Sequence, residues 1–260
     1  MLGKLIKHEF KATYKAYGLL FAALILLTIV SKITLRVDSD FAFYNFATRL
    51  FQLVDIVLMF SVCFVGTCMV IARVYKHLLT DEGYLSHTLP VKTWQHIVTK
   101  CIVGTVWIVL SYIVMCLAIM IYIGNYSKIW HTVKEIFNDL GDHPKLIGIA
   151  IMVLIIVIAF ITMTVNSYMM ALSIGQLFKK HKIASSVIIW FAMYFAFGII
   201  ISMCQPLLSS AYDKIIDVKS MSRYGISYLI LCIILACEIL GSAICTFVTN
   251  YMLTKKLNLE

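Results

Sequence analysis

Charged residues are scarce in this sequence, and that scarcity is the first constraint on what the protein can be. Only 13% of the 260 residues are charged, 62% are apolar, and the mean hydropathy is +0.93. Soluble domains average about 25% charged residues, so an ordinary soluble domain is excluded. The formal net charge of +9 lies beside long apolar runs, which favours contact with lipid headgroups over contact with nucleic acid.

Motifs for nucleotide hydrolysis, metal catalysis and disulfide formation are also absent. No glycine begins the phosphate-binding pattern G-x-x-x-x-G-K-[ST], and His8-Glu9 does not extend to H-E-x-x-H. The eight cysteines form no C-x-x-C pair and are interpreted as small packing residues. His77, His87 and His96 share one polar segment without a carboxylate or cysteine pattern, so we expect surface histidines. The sequence thus predicts no catalytic residue, no metal and no cofactor in this chain.

Long apolar runs are what the sequence has instead. A helix needs about 20 apolar residues to cross the hydrocarbon core, where its backbone must form hydrogen bonds within the segment. The prediction is an all-α polytopic membrane protein, one domain over residues 1–260. Its six transmembrane helices are expected at residues 17–33, 51–74, 101–123, 146–178, 183–204 and 226–252.

The distribution of basic residues predicts the orientation. If the N-terminus is cytoplasmic, 13 of the 22 basic residues fall in cytoplasmic segments, in agreement with the positive-inside rule. An even number of spans then places both termini in the cytoplasm.

Residues 1–17 carry an apolar stripe and a basic stripe at helical spacing, which predicts an amphipathic interfacial helix before the first span. Its basic residues Lys4, Lys7, Lys11 and Lys15 are the expected membrane-surface anchor. The alternative is a solvated basic tail, which would have no reason to keep the apolar stripe in phase.

Polar residues inside the spans are candidate functional groups, because they are costly in hydrocarbon. Asp55 lies near the predicted outer end of the second span and is expected to reach the interface. Glu238 lies halfway along the sixth span and begins a polar stripe, and Asn166 belongs to a comparable stripe in the fourth. Two interpretations stay open for Glu238: hydrogen bonding between these stripes, or handling of substrate or protons.

Two joints on the predicted outer side are too apolar to be freely solvated. Residues 125–145 mix apolar and charged residues and predict a surface helix. In the other, Pro206 is expected to end the fifth span, and residues 205–225 are expected to dip back into the outer leaflet.

The cytoplasmic joint at residues 75–100 has the composition of a docking surface. Thr80 is placed to cap a short helix whose first turn holds Asp81 and Glu82, where acids suit the helix dipole. The residues that follow include the apolar Tyr84, Leu85 and Leu89, and Pro90 ends the element. We expect a short amphipathic coupling helix between spans two and three.

This pattern of an acidic turn, Gly83-Tyr84-Leu85 and then Thr88-Leu89-Pro90-Val91 resembles the coupling region of ABC-2-type transporter permeases, particularly small six-span bacterial ones. The basic N-terminal helix and the joint between spans five and six also match. The resemblance implies a dimeric permease, formed with a second copy or a close paralogue, in the bacterial plasma membrane. It also implies two copies of a separate ATPase subunit that bind the ATP and magnesium. Asp81, Glu82, Tyr84, Leu85 and Leu89 would then contact the ATPase.

The expected function is therefore export by the membrane subunit of an ATP-driven transporter. An apolar interior without rings of charge argues against sugars and inorganic ions. Amphipathic peptides, antimicrobial or cytolytic, are the first expected substrate class, and lipids or hydrophobic drugs the second. The alternatives are a non-transporting membrane scaffold or regulator and an intramembrane enzyme.

Overall fold

The computed structural model describes residues 2–34, 42–79, 92–124, 126–142, 144–178, 181–217 and 223–255, and nearly all of them are helical. This confirms the all-α prediction. Seven helices are formed in this part of the chain: α1 (Leu2–Thr34), α2 (Ala42–Leu79), α3 (Thr93–Ile123), α4 (Tyr126–Asp142), α5 (Pro144–Gly175), α6 (Lys182–Asp217) and α7 (Arg223–Lys255).

Six of these helices, all but α4, contain a stretch long and apolar enough to cross a membrane. Every predicted apolar run overlaps one of them. Many large apolar side chains on these helices are exposed, including Leu154 of α5 and Phe64 of α2. An apolar surface of this extent suits a hydrocarbon solvent and would be costly in water. The architecture is that of a multi-pass membrane protein.

The chain forms two compact units. Unit 1 (Met1–Arg73 and Val98–Asp139) contains α1 and most of α2, α3 and α4. Its apolar core brings Leu24 of α1 together with Met59 and Val62 of α2 and with Val114 and Ala118 of α3.

Unit 2 (Val74–Ile97 and Leu140–Glu260) contains α5, α6 and α7, and α5 packs against both of the others. Gly175 ends α5 where Ser186 of α6 approaches so closely that a Cβ atom at position 175 would collide with it. The Ser185 hydroxyl also donates to the carbonyl of Gly175 at 3.1 Å, which joins the end of α5 to the first turn of α6.

Three predicted segments can be compared with the helices of the structure. α1 is one continuous helix from Leu2 to Thr34 and includes both the predicted interfacial segment and the predicted first span. α6 runs through Pro206 to Asp217, so the proline does not end the helix. Proline is tolerated in membrane helices, where neighbouring groups satisfy the freed carbonyl. The surface helix expected within residues 125–145 is present as α4.

The predicted coupling residues Asp81, Glu82, Tyr84, Leu85 and Leu89 lie outside the described residues. Their placement and role stay predictions. The last residue of the joint that carries them, Lys100, is described and contributes to the site below.

Candidate functional site

The buried face of α1 is polar over most of its length. Its buried residues recur at three-, four- and seven-residue intervals and therefore share one side of the helix; they are Glu9, Thr13, Tyr17, Leu24, Thr28 and Ser31. The anchor residues Lys4, Lys7, Lys11 and Lys15 are all exposed, on the other side of the helix. One side of α1 is thus basic and open, and the other is packed against α2 and α3.

Glu9 is the centre of a buried charge cluster. Its Oε1 atom accepts hydrogen bonds from Nε of Arg73 at 3.0 Å and from Nζ of Lys100 at 2.5 Å. The side chains of Glu9 and Lys100 are 9% and 8% exposed, whereas that of Arg73 is 27% exposed. One carboxylate therefore holds two cations, one of them buried. Removing the Glu9 carboxylate would take away the negative charge that both cations bind in a poorly solvated place.

The positions of the two cations in the chain connect the cluster to the cytoplasmic joint. Arg73 lies on α2, two residues before the joint at residues 75–100 begins. Lys100 lies on α3 and is the last residue of the joint. Glu9 on α1 therefore ties together the two helices between which the joint is inserted.

One turn further along α1, aromatic contacts continue the same interface. The indole of Trp107 donates from Nε1 to the Thr13 hydroxyl at 2.9 Å. Its ring stacks on that of Tyr17 with centroids 4.3 Å apart and an 8° interplanar angle. The Tyr17 hydroxyl in turn donates to the carbonyl of Gly66 at 2.7 Å. These contacts hold α1 to α2 and α3 through oriented bonds, so rotation of α1 would break several at once.

Asp55 lies deeper in the same interface. Its carboxyl is fully buried, and Oδ1 lies 3.1 Å from the hydroxyl oxygen of Thr28. The expectation that Asp55 reaches the membrane surface is therefore wrong. The reason is that α1 covers the face of α2 that carries it, with Thr28 directly opposite.

Lys32 lies at the opposite end of α1 from Glu9 and bonds to residues of α3 and α4. Its ammonium donates to the carbonyl of Ile121 at 2.7 Å and to the hydroxyl of Tyr126 at 3.1 Å. Gly124 has a φ of +69°, and a Cβ there would collide with the Lys32 side chain. Glycine at this position lets the chain turn from α3 into α4 around the ammonium.

The polar stripes of α5 and α7 meet within unit 2. Asn166 donates from Nδ2 to the Ser242 hydroxyl at 2.6 Å, so the expected bonding between stripes is seen at this point. Glu238 is only partly buried, and its Oε2 has no hydrogen-bond partner among the described residues. The structure therefore joins Asn166 to the neighbouring stripe but does not bring Glu238 and Asn166 together through a hydrogen bond.

Metal-binding residues do not gather in the part of the chain that the structure describes, where no group of three His, Cys, Asp or Glu side chains is close enough to hold an ion. The expectation that the joint's histidines are surface residues is wrong for His96, which is buried on α3. His87 lies outside the described residues.

The sequence reasoning missed Glu9, Arg73 and Lys100 as a site. Glu9 is the only acidic residue before Asp38 and is surrounded by lysines, and it entered the sequence analysis only through the rejected H-E-x-x-H motif. The signal that could have found it is its phase: Thr13 and Tyr17 follow at four and eight residues, on the side away from the lysines.

Comparisons with known proteins identify no relative of this chain: no protein-family model, no curated protein and no solved structure matches it.

Proposed function

We propose that this chain is the membrane-spanning permease subunit of an ATP-driven ABC-2-type exporter, working with a separate ATPase. Six helices able to span a membrane and the Asp81–Val91 sequence pattern support this proposal. The observation that carries it is the Glu9 cluster. An ATPase that moves the joint needs a connection from the joint to the spans, and Glu9 supplies one by binding the residues on either side of it.

In this proposal the joint is the input and α1 is the first element to respond. Movement of the joint would alter the separation of Arg73 and Lys100, and Glu9 would carry the change into α1. The hydrogen bond between Thr13 and Trp107 and the stacking of Trp107 on Tyr17 would then transmit this movement along α1. The permease would work as a dimer in the bacterial plasma membrane, with both termini in the cytoplasm.

The proposed substrates are amphipathic peptides, with lipids or hydrophobic drugs as the second class. Large exposed apolar side chains along α5 and α6, such as Leu154 and Phe195, offer a surface for molecules that partition into the membrane. A substrate of this kind could reach a pathway between two permease copies from within the bilayer.

The direct test is purification of the tagged full-length chain from membranes of its native host, followed by mass spectrometry of what accompanies it. We expect a stoichiometric ATPase, and its absence under mild extraction would contradict the proposal. A double variant, Tyr84→Asp with Leu85→Asp, should lose the ATPase because it puts charge into an apolar contact.

The matched control is Ile136→Asp with Phe137→Asp on α4. Both of these apolar side chains are exposed, and α4 belongs to the predicted outer side. This variant should retain the ATPase. If both double variants lose it equally, the effect is a general loss of folding and the joint has no special part in binding.

A further inference from the structure

Three fully buried polar residues form a small closed cluster between α1 and α2. Asp55, Thr28 and Ser31 are each 0% exposed. The Thr28 hydroxyl oxygen lies 3.1 Å from Oδ1 of Asp55 and 2.9 Å from the carbonyl of Leu24. The Ser31 hydroxyl adjoins the carboxyl on the next turn of α1. Oδ2 of Asp55 and Oγ of Ser31 are both buried without a hydrogen-bond partner within the described ranges.

The hydrogens available in this cluster favour a protonated Asp55. A hydroxyl has one hydrogen, so Thr28 cannot donate to Leu24 and to Asp55 at once. If Asp55 is ionised, both of its carboxylate oxygens can only accept. Thr28 then has one hydrogen for two acceptors, so its contact with either Leu24 or Asp55 lacks a hydrogen. If Asp55 carries a proton, it donates to a hydroxyl oxygen while Thr28 donates to Leu24, and both contacts are satisfied.

The charged surroundings favour the same state. In the part of the chain that the structure describes, Asp55 forms no ion pair with lysine or arginine. The nearest cation along α1 is Lys32, which is engaged by Ile121 and Tyr126, and the nearest along α2 is the exposed Arg49. The residues of α3 packed against the adjoining core include one titratable group, the phenol of Tyr122. An unpaired carboxylate buried here would be costly.

We propose that Asp55, Thr28 and Ser31 form an intramembrane proton-binding site, with an exchangeable proton on Asp55. Loss of the proton at alkaline pH would leave a charge between α1 and α2 and weaken their contact. The site would thereby make the packing of α1 depend on proton occupancy. This inference stands on the contacts of Asp55 alone and does not require the exporter proposal.

Infrared spectroscopy of the purified full-length protein in liposomes tests the site directly. At neutral pH exposed carboxyls are ionised, so a protonated-carboxyl band reports buried acids. The Glu238→Gln background removes the other acid predicted to lie inside a span. We expect the remaining band to vanish in Asp55→Asn, to shift in frequency in Thr28→Val, and to move in deuterium oxide as the proton exchanges. Thr164→Val, which removes a hydroxyl bonded only to its own helix at Phe160, should leave the band unchanged.

Three outcomes would overturn the proposal. A band that survives Asp55→Asn would mean that Asp55 is ionised. A band that does not respond to deuterium oxide would mean a sealed carboxylic acid and no exchangeable site. A band lost when sodium replaces choline at constant pH would mean that the cluster takes a metal cation. If Asp55→Asn does not fold, the shift expected for Thr28→Val decides the matter.

Discussion

The interfaces of α1 in unit 1 and of α5 in unit 2 solve the same problem of joining apolar helices in different ways. In α2 and α3, 28% of the most apolar stretch is buried, but in α5 only 6% is. The α1 interface carries two ion pairs, an aromatic stack and oriented hydrogen bonds. The contacts seen between α5 and α7 are hydrogen bonds of neutral groups, from Asn166 to Ser242 and from the Tyr228 hydroxyl to the carbonyl of Lys145. Apolar side chains gain little by leaving lipid for each other, so the polar contacts specify how helices pair. The α1 interface is therefore the more specific of the two.

The largest effect should come from Glu9→Gln. This change keeps the shape of the side chain but removes the negative charge that Arg73 and the buried Lys100 both bind, and we expect a loss of about 3–5 kcal/mol in stability. Thermal unfolding of the purified protein in one detergent measures it. Adding Lys100→Met should recover part of the loss, since it removes the buried cation that Glu9 binds.

Glu135→Gln on α4 is the matched control for Glu9→Gln. Glu135 pairs with His131 at 3.2 Å, but both side chains are exposed, at 63% and 75%, and exposed pairs contribute little. Unfolding of this variant should be indistinguishable from that of the unaltered protein. Equal losses in the two variants would show that Glu9 has no special place, and the contrast between the two units would weaken.

A smaller effect is expected from Trp107. Trp107→Phe keeps an aromatic ring against Tyr17 but removes the bond to Thr13, at a cost of about 0.6 kcal/mol, the average for hydrogen bonds between membrane helices. Trp107→Leu also removes the stacking, which adds about 0.5–1.5 kcal/mol. The difference between the two variants in unfolding temperature isolates the stack, and no difference would mean that the ring only fills space.

Asn166→Leu in unit 2 should cost still less. It removes the bond to Ser242, again about 0.6 kcal/mol, but it also removes Oδ1 of Asn166, which is buried without a partner among the described residues. The second change offsets the first, because an unsatisfied polar atom is costly. Ser242→Ala, which leaves the whole Asn166 amide without this partner, should therefore destabilise the protein more than Asn166→Leu does. The reverse order would mean that the hydrogen bond is not the main contact at this point.

The outcome for α1 shows what could be read from the sequence and what could not. The apolar runs predicted where the spanning helices lie, because backbone groups in hydrocarbon have no alternative to the helix. The exposed lysines of residues 4–15 followed from periodicity. The Glu9 cluster could not be predicted, since Arg73 and Lys100 are 64 and 91 residues away along the chain. Only the packing of α1 against α2 and α3 brings them together.

Asp55 shows the same limit from another side. Its place within an apolar run marked it as a candidate, but exposure at the membrane surface was the wrong expectation. Whether a polar residue in a span reaches water depends on which neighbouring helix covers it. For Asp55 the cover is Thr28, 27 residues earlier in the chain.

The smallest effect is expected at Glu238, where the two open interpretations give different results. An acid in hydrocarbon is favoured in its neutral form unless it meets a cation or water, and the Glu238→Gln side chain is also neutral and nearly the same in shape. If Glu238 only contributes to packing, this variant should retain its unfolding temperature. It should also retain the activity expected from the exporter proposal, measured as ATP hydrolysis by the chain together with its proposed ATPase. Glu238→Leu serves as the companion variant and should lower stability slightly if the carboxyl donates a hydrogen bond. A Glu238→Gln protein of unchanged stability but without activity would assign the carboxyl to substrate or proton handling. It would also place the transport pathway along α7, which belongs to unit 2, the unit with the less specific helix contacts.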